Sequence, residues 1–354
     1  MSRISIVIPN YNRASLVGET IENMLRQSLP PHEVIVVDDG STDDSAKVIR
    51  SFGHRVKLIE QSNQGPGAAR NRGMESSSGD FIQFMDSDDL ASLNKLEIQF
   101  AAVEESGADF AYCPWVRTEF SGKKLKFAGS IMQGSAIPDW KSMLEWQMGS
   151  WCLVFQNCLF RRAILEKAGK FRTDLMPSED SEYLVRILLA GAHPVFTGKC
   201  LVFYRTHAGN QITASGTNAR NRALDWTRYL EIVGAETKSR LGMFHLSTQW
   251  EIALNVHRHI RYCRKRGWPE PAADSPFCHL TSSTSKFRLR WADLSDRLSR
   301  KLLRLAGETP NNRGLMLRHF NHHDCQLARE AGFDVINVSD RKMKTSMPPN
   351  PPHI

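Results

Sequence analysis

The feature that most constrains this 354-residue chain is a repeated change of period in its first hundred residues. Short β-branched runs alternate there with apolar residues at helix spacing. Ile4–Ile8 is followed by Leu16, Val17, Ile21, Met24 and Leu25, one face of a helix. Val34-Ile-Val-Val37 precedes Ser41–Phe52, a helical segment opened by a Ser/Thr/Asp cap. Val56–Ile59 leads through Gln64-Gly-Pro-Gly67 into a helix containing Ala68–Glu75, and Phe81-Ile-Gln-Phe-Met85 stops at Asp86-Ser-Asp-Asp89. Strands alternating with helices of this length predict an α/β fold, an open and mostly parallel sheet with helices on both faces.

The alternation loosens after residue 110. Phe110–Cys113, Val154–Phe160 and Val195–Tyr204 read as strands and Ser178–Ala190 as a helix. Beyond Ala214 the pattern becomes helical around 218–234, 243–266 and 287–306, the last two ending just before Gly267 and Gly307. The expected organisation is a domain over residues 1–214, a basic helical extension over 215–340 and a disordered tail over 341–354. Charge follows the same division. The net +8 and basic pI invite a nucleic-acid reading. Residues 1–214, however, carry 23 basic and 25 acidic side chains, and residues 215–354 carry 23 and 13. The excess lies in the back part, no nucleic-acid motif accompanies it, and a nucleic-acid partner is not expected.

No apolar run approaches the ~20 residues of a membrane span, and Met1–Pro9 lacks the parts of a signal peptide. The seven cysteines have no Cys-x-x-Cys spacing, so reduced, mostly buried thiols are expected. His322-His323-Asp324-Cys325 reads as a surface stretch, since adjacent residues of one element rarely chelate together. The expected location is cytoplasmic, including the inner face of the membrane.

In open α/β sheets ligands sit outside the carboxyl ends of the strands. Three polar clusters fall there: Pro9-Asn-Tyr-Asn-Arg13 after the first strand, Asp38-Asp-Gly-Ser41 after the second and Asp86-Ser-Asp-Asp89 after the fourth. Each alone is a plausible turn or helix cap. Together at one edge they suit a divalent cation that shares its coordination with substrate phosphates. Tyr11 is placed to stack on a base, Asp39 to accept from a base N–H or a ribose hydroxyl, and Arg70 to face a diphosphate. No Gly-x-Gly-x-x-Gly follows the first strand, which argues against a nicotinamide dinucleotide fold; no Gly-Lys-Ser/Thr phosphate loop is present, and Asn10–Ser15 contains no Gly-rich triphosphate loop of the kind nucleotidyl transfer would need.

These segments, with Asn63-Gln-Gly-Pro-Gly-Ala-Ala-Arg-Asn-Arg-Gly73, resemble the successive signatures of family 2 glycosyltransferases with the GT-A-type fold. The resemblance covers residues 3–214. It implies a nucleotide-sugar donor, expected to be a UDP-sugar, and a divalent metal, Mn²⁺ or Mg²⁺. Pro9, Tyr11, Arg13, Asp39, Arg70 and Asp86 would bind the donor. Asp88 would be the principal metal ligand, with Asp86 and His207 beside it. Phe171–Tyr183 resembles the family segment whose Glu-Asp pair precedes a helix, with Asp180 matching the base that deprotonates the acceptor hydroxyl in an inverting transfer. The helix dipole at that position is expected to lower the pKa of Asp180. Tyr204-Arg-Thr-His-Ala-Gly-Asn210 resembles the family's closing motif, and Trp151, Gln156 and Asn157 fall where the acceptor site is usually shaped.

Processive synthases of the family carry Gln-x-x-Arg-Trp; here Phe287 stands where the Gln would precede Arg290-Trp291, so transfer of a single sugar is expected. The acceptor would be a glycan or lipid-linked glycan, as in cell-surface polysaccharide synthesis. Trp291, Leu294, Leu298, Leu302 and Leu305 form one stripe of segment 287–306, with Arg297, Arg300, Lys301 and Arg304 on the other positions. Such a helix packs on the catalytic domain or rests on anionic lipid. The alternative to an enzyme is a sugar-nucleotide-binding regulatory or scaffold protein without turnover.

Overall fold

The computed structural model describes residues 3–149, 153–206, 219–283 and 320–336, together with Leu289 and Leu294. The first half runs β1 (Ile4–Asn10), α1 (Val17–Leu25), β2 (Glu33–Asp38), α2 (Ser45–Arg50), β3 (Lys57–Glu60), α3 (Pro66–Glu75) and β4 (Phe81–Phe84). Then come β5 (Leu90–Ala91), α4 (Lys95–Ser106), β6 (Phe110–Tyr112), β7 (Trp115–Ser121), β8 (Lys124–Phe127) and α5 (Met143–Gly149). The second half continues with β9 (Cys158–Arg161), α6 (Arg162–Ala168), α7 (Glu179–Leu189), β10 (Pro194–Phe196) and β11 (Val202–Arg205). It closes with α8 (Ala219–Thr237), α9 (Leu246–Arg264), α10 (Pro276–Ser283), α11 (His322–Glu330) and β12 (Asp334–Val335).

The chain is α/β, as its periodicity predicts. A seven-stranded sheet has the order β10-β6-β9-β4-β1-β2-β3, with β4, β1, β2 and β3 parallel and β9 antiparallel to both its neighbours. Every residue of β1 is buried, because helices cover both faces of the sheet. The period of two divides its side chains. Ile4, Ile6 and Ile8 pack with Val17 and Ile21 of α1 and Leu96 of α4, whereas Val7 packs into a core with Phe84, Tyr183, Tyr229 and Val256. Helix α3 lies close against β1 only because residue 73 is glycine. A Cβ there would sit 2.3 Å from Cγ1 of Val7.

Four expectations are corrected. A second, five-stranded sheet, β12-β8-β7-β11-β5, packs its own core of Leu90, Val116, Phe127, Phe203 and Phe333. The single strand expected over Val195–Tyr204 is two strands, one in each sheet, so the chain crosses between them there. Residues 155–157 form a 3₁₀ turn ahead of β9, and the helix expected over Ser41–Phe52 shrinks to Ser45–Arg50 because the Ser41 side chain is taken up by the end of β2.

The helices beyond residue 214 share a core with the sheet. Tyr229 and Val233 of α8, Ile252 and Val256 of α9 and Phe277 of α10 belong to the cluster containing Phe84, Phe110 and Phe160. The His322–Cys325 stretch starts α11 with an Asn321/Asp324 capping box, and its Asp324 and Cys325 are buried rather than on the surface. All six described cysteines are free thiols and buried. Among the described residues no helix is long and apolar enough to cross a membrane. Segment 287–306 lies outside the described residues apart from Leu289 and Leu294, and the tail expected over 341–354 lies wholly outside them.

Candidate active site

Strands β1, β2 and β4 are parallel and in register, so their carboxyl ends meet at one edge of the sheet. Pro9 is buried in β1, and Asn12, at φ 51°, turns the chain just after Tyr11, which stands 45% exposed at the edge.

The two aspartates ending β2 do different work. Asp38 is buried and accepts from Nδ2 of Asn10 at 2.7 Å and from Oγ of Ser41 at 2.5 Å, joining the ends of β1 and β2. Asp39, also buried, accepts from Nε2 of Gln61 at 2.8 Å and from the backbone N–H groups of Gln64 and Gly65 at 2.9 and 2.8 Å. It thereby fixes the Gly-rich loop before α3 against the strand ends. Three of the roughly four acceptor positions of a carboxylate are used, which leaves one for an N–H or O–H of a ligand.

Arg70, on α3, is the electrostatic centre of the edge. Its buried guanidinium donates to Oε1 of Glu179 at 2.7 Å and to Oδ1 of Asp86 at 2.9 Å, and lies 5.6 Å from the ring centre of Phe171. Burial alone would lower its pKa; Asp86, Glu179 and Asp180 outweigh that and hold it above the ordinary value. This one side chain ties the end of β4 to the start of α7.

Asp88 accepts from Nε of Arg13 at 3.0 Å. Asp89 is buried, with Oδ2 receiving Nε2 of Gln156 at 2.7 Å and Oδ1 the backbone N–H of Arg205 at 2.8 Å. Burial first, then the charges of Asp88 and Asp86, push its carboxyl well above the usual range. Gln156 and Asn157 are buried as well, so their side chains brace the strand ends instead of facing an acceptor.

At the start of α7, burial pushes Glu179 up to about 7, with Arg70 opposing and Asp180 adding to the rise. Its Oε2 is buried without a hydrogen-bond partner. Asp180, partly exposed, is also raised, by burial first and then by Asp86, with Arg70 opposing. The downward shift expected from the helix dipole is thus reversed, because desolvation and a neighbouring carboxylate outweigh it.

Of the expected metal ligands, Asp86 and Asp88 are described and His207 is not. Among the described residues no three His, Cys, Asp or Glu side chains converge as a metal site, and Asp86 and Asp88 each hold an arginine. His207 and Trp151 lie outside the described residues. The residues nonetheless fit a hard cation that takes its remaining ligands from phosphate and water. Carboxylates outnumber guanidiniums in the cluster, and after burial, which is the larger cause, neighbouring carboxylates add to the raised pKa values of Asp89, Glu179 and Asp180.

Sequence reasoning singled out Arg70, Asp39, Asp86, Asp88 and Asp180, and the structure brings Arg70, Asp86 and Asp180 together. It passed over Asp89 and Glu179 as binding groups. The adjacency of Asp89 to Asp88 was the available signal for the first. The 109-residue separation of Arg70 and Glu179 hides the second.

Comparison with known proteins agrees with this edge. Residues 5–169 match the model of glycosyl transferase family 2. An uncharacterized glycosyltransferase of Rickettsia bellii is 40% identical over 136 residues, 38% of this chain and 19% of that protein. One of Haemophilus influenzae is 38% identical over 130 residues, 36% of this chain and 52% of the relative, and one of Nostoc sp. is 29% identical over 283 residues, 75% and 84%. The chain thus spans only about a fifth of the length of the Rickettsia relative. Among solved structures, Staphylococcus aureus TarS 1-349 superposes with a TM-score of 0.54 at 20% identity, covering 75% of this chain and 74% of that one. The fold is of the GT-A type, and residues 5–169, just under half of the chain, carry the match to glycosyl transferase family 2.

Proposed function

We propose that this chain moves a single sugar from a nucleotide-diphosphate sugar, a UDP-sugar, to a hydroxyl of a glycan or lipid-linked glycan, with inversion at the anomeric carbon. The observation that carries this reading is the Arg70 bridge. It holds Asp86, just beyond the end of a central strand, and Glu179, the neighbour of Asp180 at the start of α7, on opposite arms of one guanidinium. S. aureus TarS 1-349 has been solved with UDP-GlcNAc on the same fold, which supports a UDP-sugar.

In this reading Tyr11 stacks on the base at the exposed edge, and Asp39, with one acceptor position left, takes an N–H or hydroxyl of the nucleoside. Pro9 shapes the floor beneath it. Asp86 and Asp88 would hold Mn²⁺ or Mg²⁺ together with the donor's phosphates, with His207 as a third candidate. The ion supplies positive charge against the departing diphosphate. Arg13 and Arg70 neutralise these aspartates and orient them. Asp180 takes the proton of the acceptor hydroxyl at a carboxylate oxygen. Its raised pKa makes it a stronger base than an ordinary aspartate, as proton abstraction near neutral pH requires. A cytoplasmic site, with the basic back part against anionic lipid, suits a lipid-linked acceptor.

The test is nucleotide release from UDP-GlcNAc, UDP-glucose, UDP-galactose and GDP-mannose, with Mn²⁺ and candidate acceptors, for the wild type and Asp180→Asn. Release by the wild type and a loss of about 10²–10⁴-fold in the variant is expected, the usual worth of a general base. Tight donor binding without release by either protein would instead make the chain a sugar-nucleotide-binding regulator.

A further inference from the structure

The segment Phe171–Ser178, which delivers Glu179 and Asp180, is gripped from two sides. Helix α3 holds its beginning. Asn71 donates to the carbonyl of Phe171 at 2.9 Å and accepts its N–H at 2.8 Å, and a Cβ at Gly67 would meet the carbonyl oxygen of Arg172 at 2.6 Å. Helix α8 holds its end, from the far side of the sequence. The Asp225 carboxylate accepts the backbone N–H of Met176 through Oδ1 at 2.5 Å and that of Ser178 through Oδ2 at 3.0 Å. One turn further along α8, Arg228 donates to Asp174, which also receives Nε and Nη2 of Arg172. Residues three apart share a helix face, so Asp225 and Arg228 form a two-point clamp on this segment.

Ser178 immediately precedes the first residue of α7. A carboxylate that fixes the N–H groups of Met176 and Ser178 therefore fixes the direction in which the helix starts, and with it the position of the Asp180 side chain. The donor-side groups Tyr11, Asp39, Asp86 and Asp88 follow directly on β1, β2 and β4.

We infer that Asp225 is a positioning residue for sugar transfer: by anchoring the turn ahead of α7 it sets Asp180 for the acceptor hydroxyl, while donor binding proceeds without it. The inference rests on the proposed role of Asp180. It gives the back part of the chain a share in the transfer step, through backbone geometry and without contact to the donor.

The experiment uses the full chain, with the donor that the wild type turns over, and compares wild type, Asp225→Ala and Asp225→Asn. A displacement of about 1 Å at a reacting group costs on the order of 10²-fold in rate. Asp225→Ala should thus lower kcat by about 10–100-fold per UDP-binding site, with the donor KM and the affinity for UDP within about twofold of wild type. Asp225→Asn keeps one acceptor oxygen and should fall between the two. Normalising to UDP-binding sites removes any unfolded fraction, and Asp225→Asn carries the test if the alanine variant does not fold. Exchange of the Met176 and Ser178 amide protons should quicken in both variants. An unchanged kcat per site, or a parallel loss of UDP affinity, overturns the positioning role. Absence of turnover in the wild type itself overturns the transferase reading and the positioning role with it, and is distinguished by appearing before any substitution is made.

Discussion

Arg70 offers the sharpest test of the electrostatics. Replacing it with methionine keeps much of the apolar stem over Phe171 but removes the charge that Asp86, Glu179 and Asp180 share. The Arg70 and Glu179 side chains are 6% and 4% exposed, so solvent cannot substitute for the lost partner. Removing one member of a buried pair costs about 3–5 kcal/mol when the other is left charged. Here the loss is capped, because Glu179 can take up a proton. Its pKa already lies near 7 with Arg70 present and must rise further without it. A carboxyl raised in the folded state binds more protons there than when unfolded, so its ionisation erodes stability as pH rises above the ordinary value near 4.5. The destabilisation of Arg70→Met should therefore be about 3 kcal/mol at pH 8 and shrink to about 1 kcal/mol at pH 5. Adding Glu179→Met should recover most of it, since an apolar pair replaces the orphaned charge. Urea denaturation of the three proteins at both pH values reads the difference. A loss that is independent of pH, or a double variant no more stable than Arg70→Met, would refute the shared-charge account.

Two further outcomes follow from packing and burial. Gly73→Ala should destabilise by about 1 kcal/mol, since overpacking at about 1–3 kcal/mol outweighs the helix propensity gained; in a Val7→Ala background the same change should become stabilising. His259 is buried, and desolvation lowers its pKa to about 4. Thr227, whose hydroxyl donates to the Ala223 carbonyl, leaves its oxygen to accept from Nε2 of His259 at 2.8 Å. A histidine whose folded pKa lies below its unfolded value near 6.5 binds protons preferentially in the unfolded chain. Stability should thus drop as pH falls from about 6.5 to 4, by a few kcal/mol in total, and His259→Gln should flatten that limb of the urea-denaturation profile.

The parts of the fold that sequence revealed are those where both faces of a strand are covered. Val34–Val37 is an unbroken apolar run and Ile4–Ile8 is interrupted only by Ser5, because helices pack on each side, and their ends were placed within about two residues. The second sheet was missed for physical reasons. Its strands β5 and β12 are two residues long, too short for any period to register, and they are strands only because β11 and β8 supply partners. The β7–β8 hairpin did leave a trace, since Val116, Thr118 and Phe120 alternate ahead of a positive-φ glycine at 122. In the site, the acidic clusters announced themselves, but the division of labour between Asp38 and Asp39 did not. Adjacent residues at a strand end point to opposite sides, and only the path of the loop over 61–65 decides which carboxylate it meets. The pKa direction of Asp180 likewise depends on burial among groups from three distant segments.

The second sheet also bears on how the chain can come off the ribosome. Its strand β5 is made by residue 91, the partner β11 only by residue 205, and the edge strand β12 by residue 335. Leu90, Val116 and Phe127 must wait for Phe203, and then for Leu327 and Phe333, before their apolar surface is closed. A nascent chain can thus complete the β1–β4 layer early, yet it carries an unfinished greasy flank until nearly all the described residues have emerged. A stop codon ahead of residue 320 would strand the protein in that state, with β1–β4 formed and the apolar surface of Leu90, Val116, Phe127 and Phe203 open to aggregation.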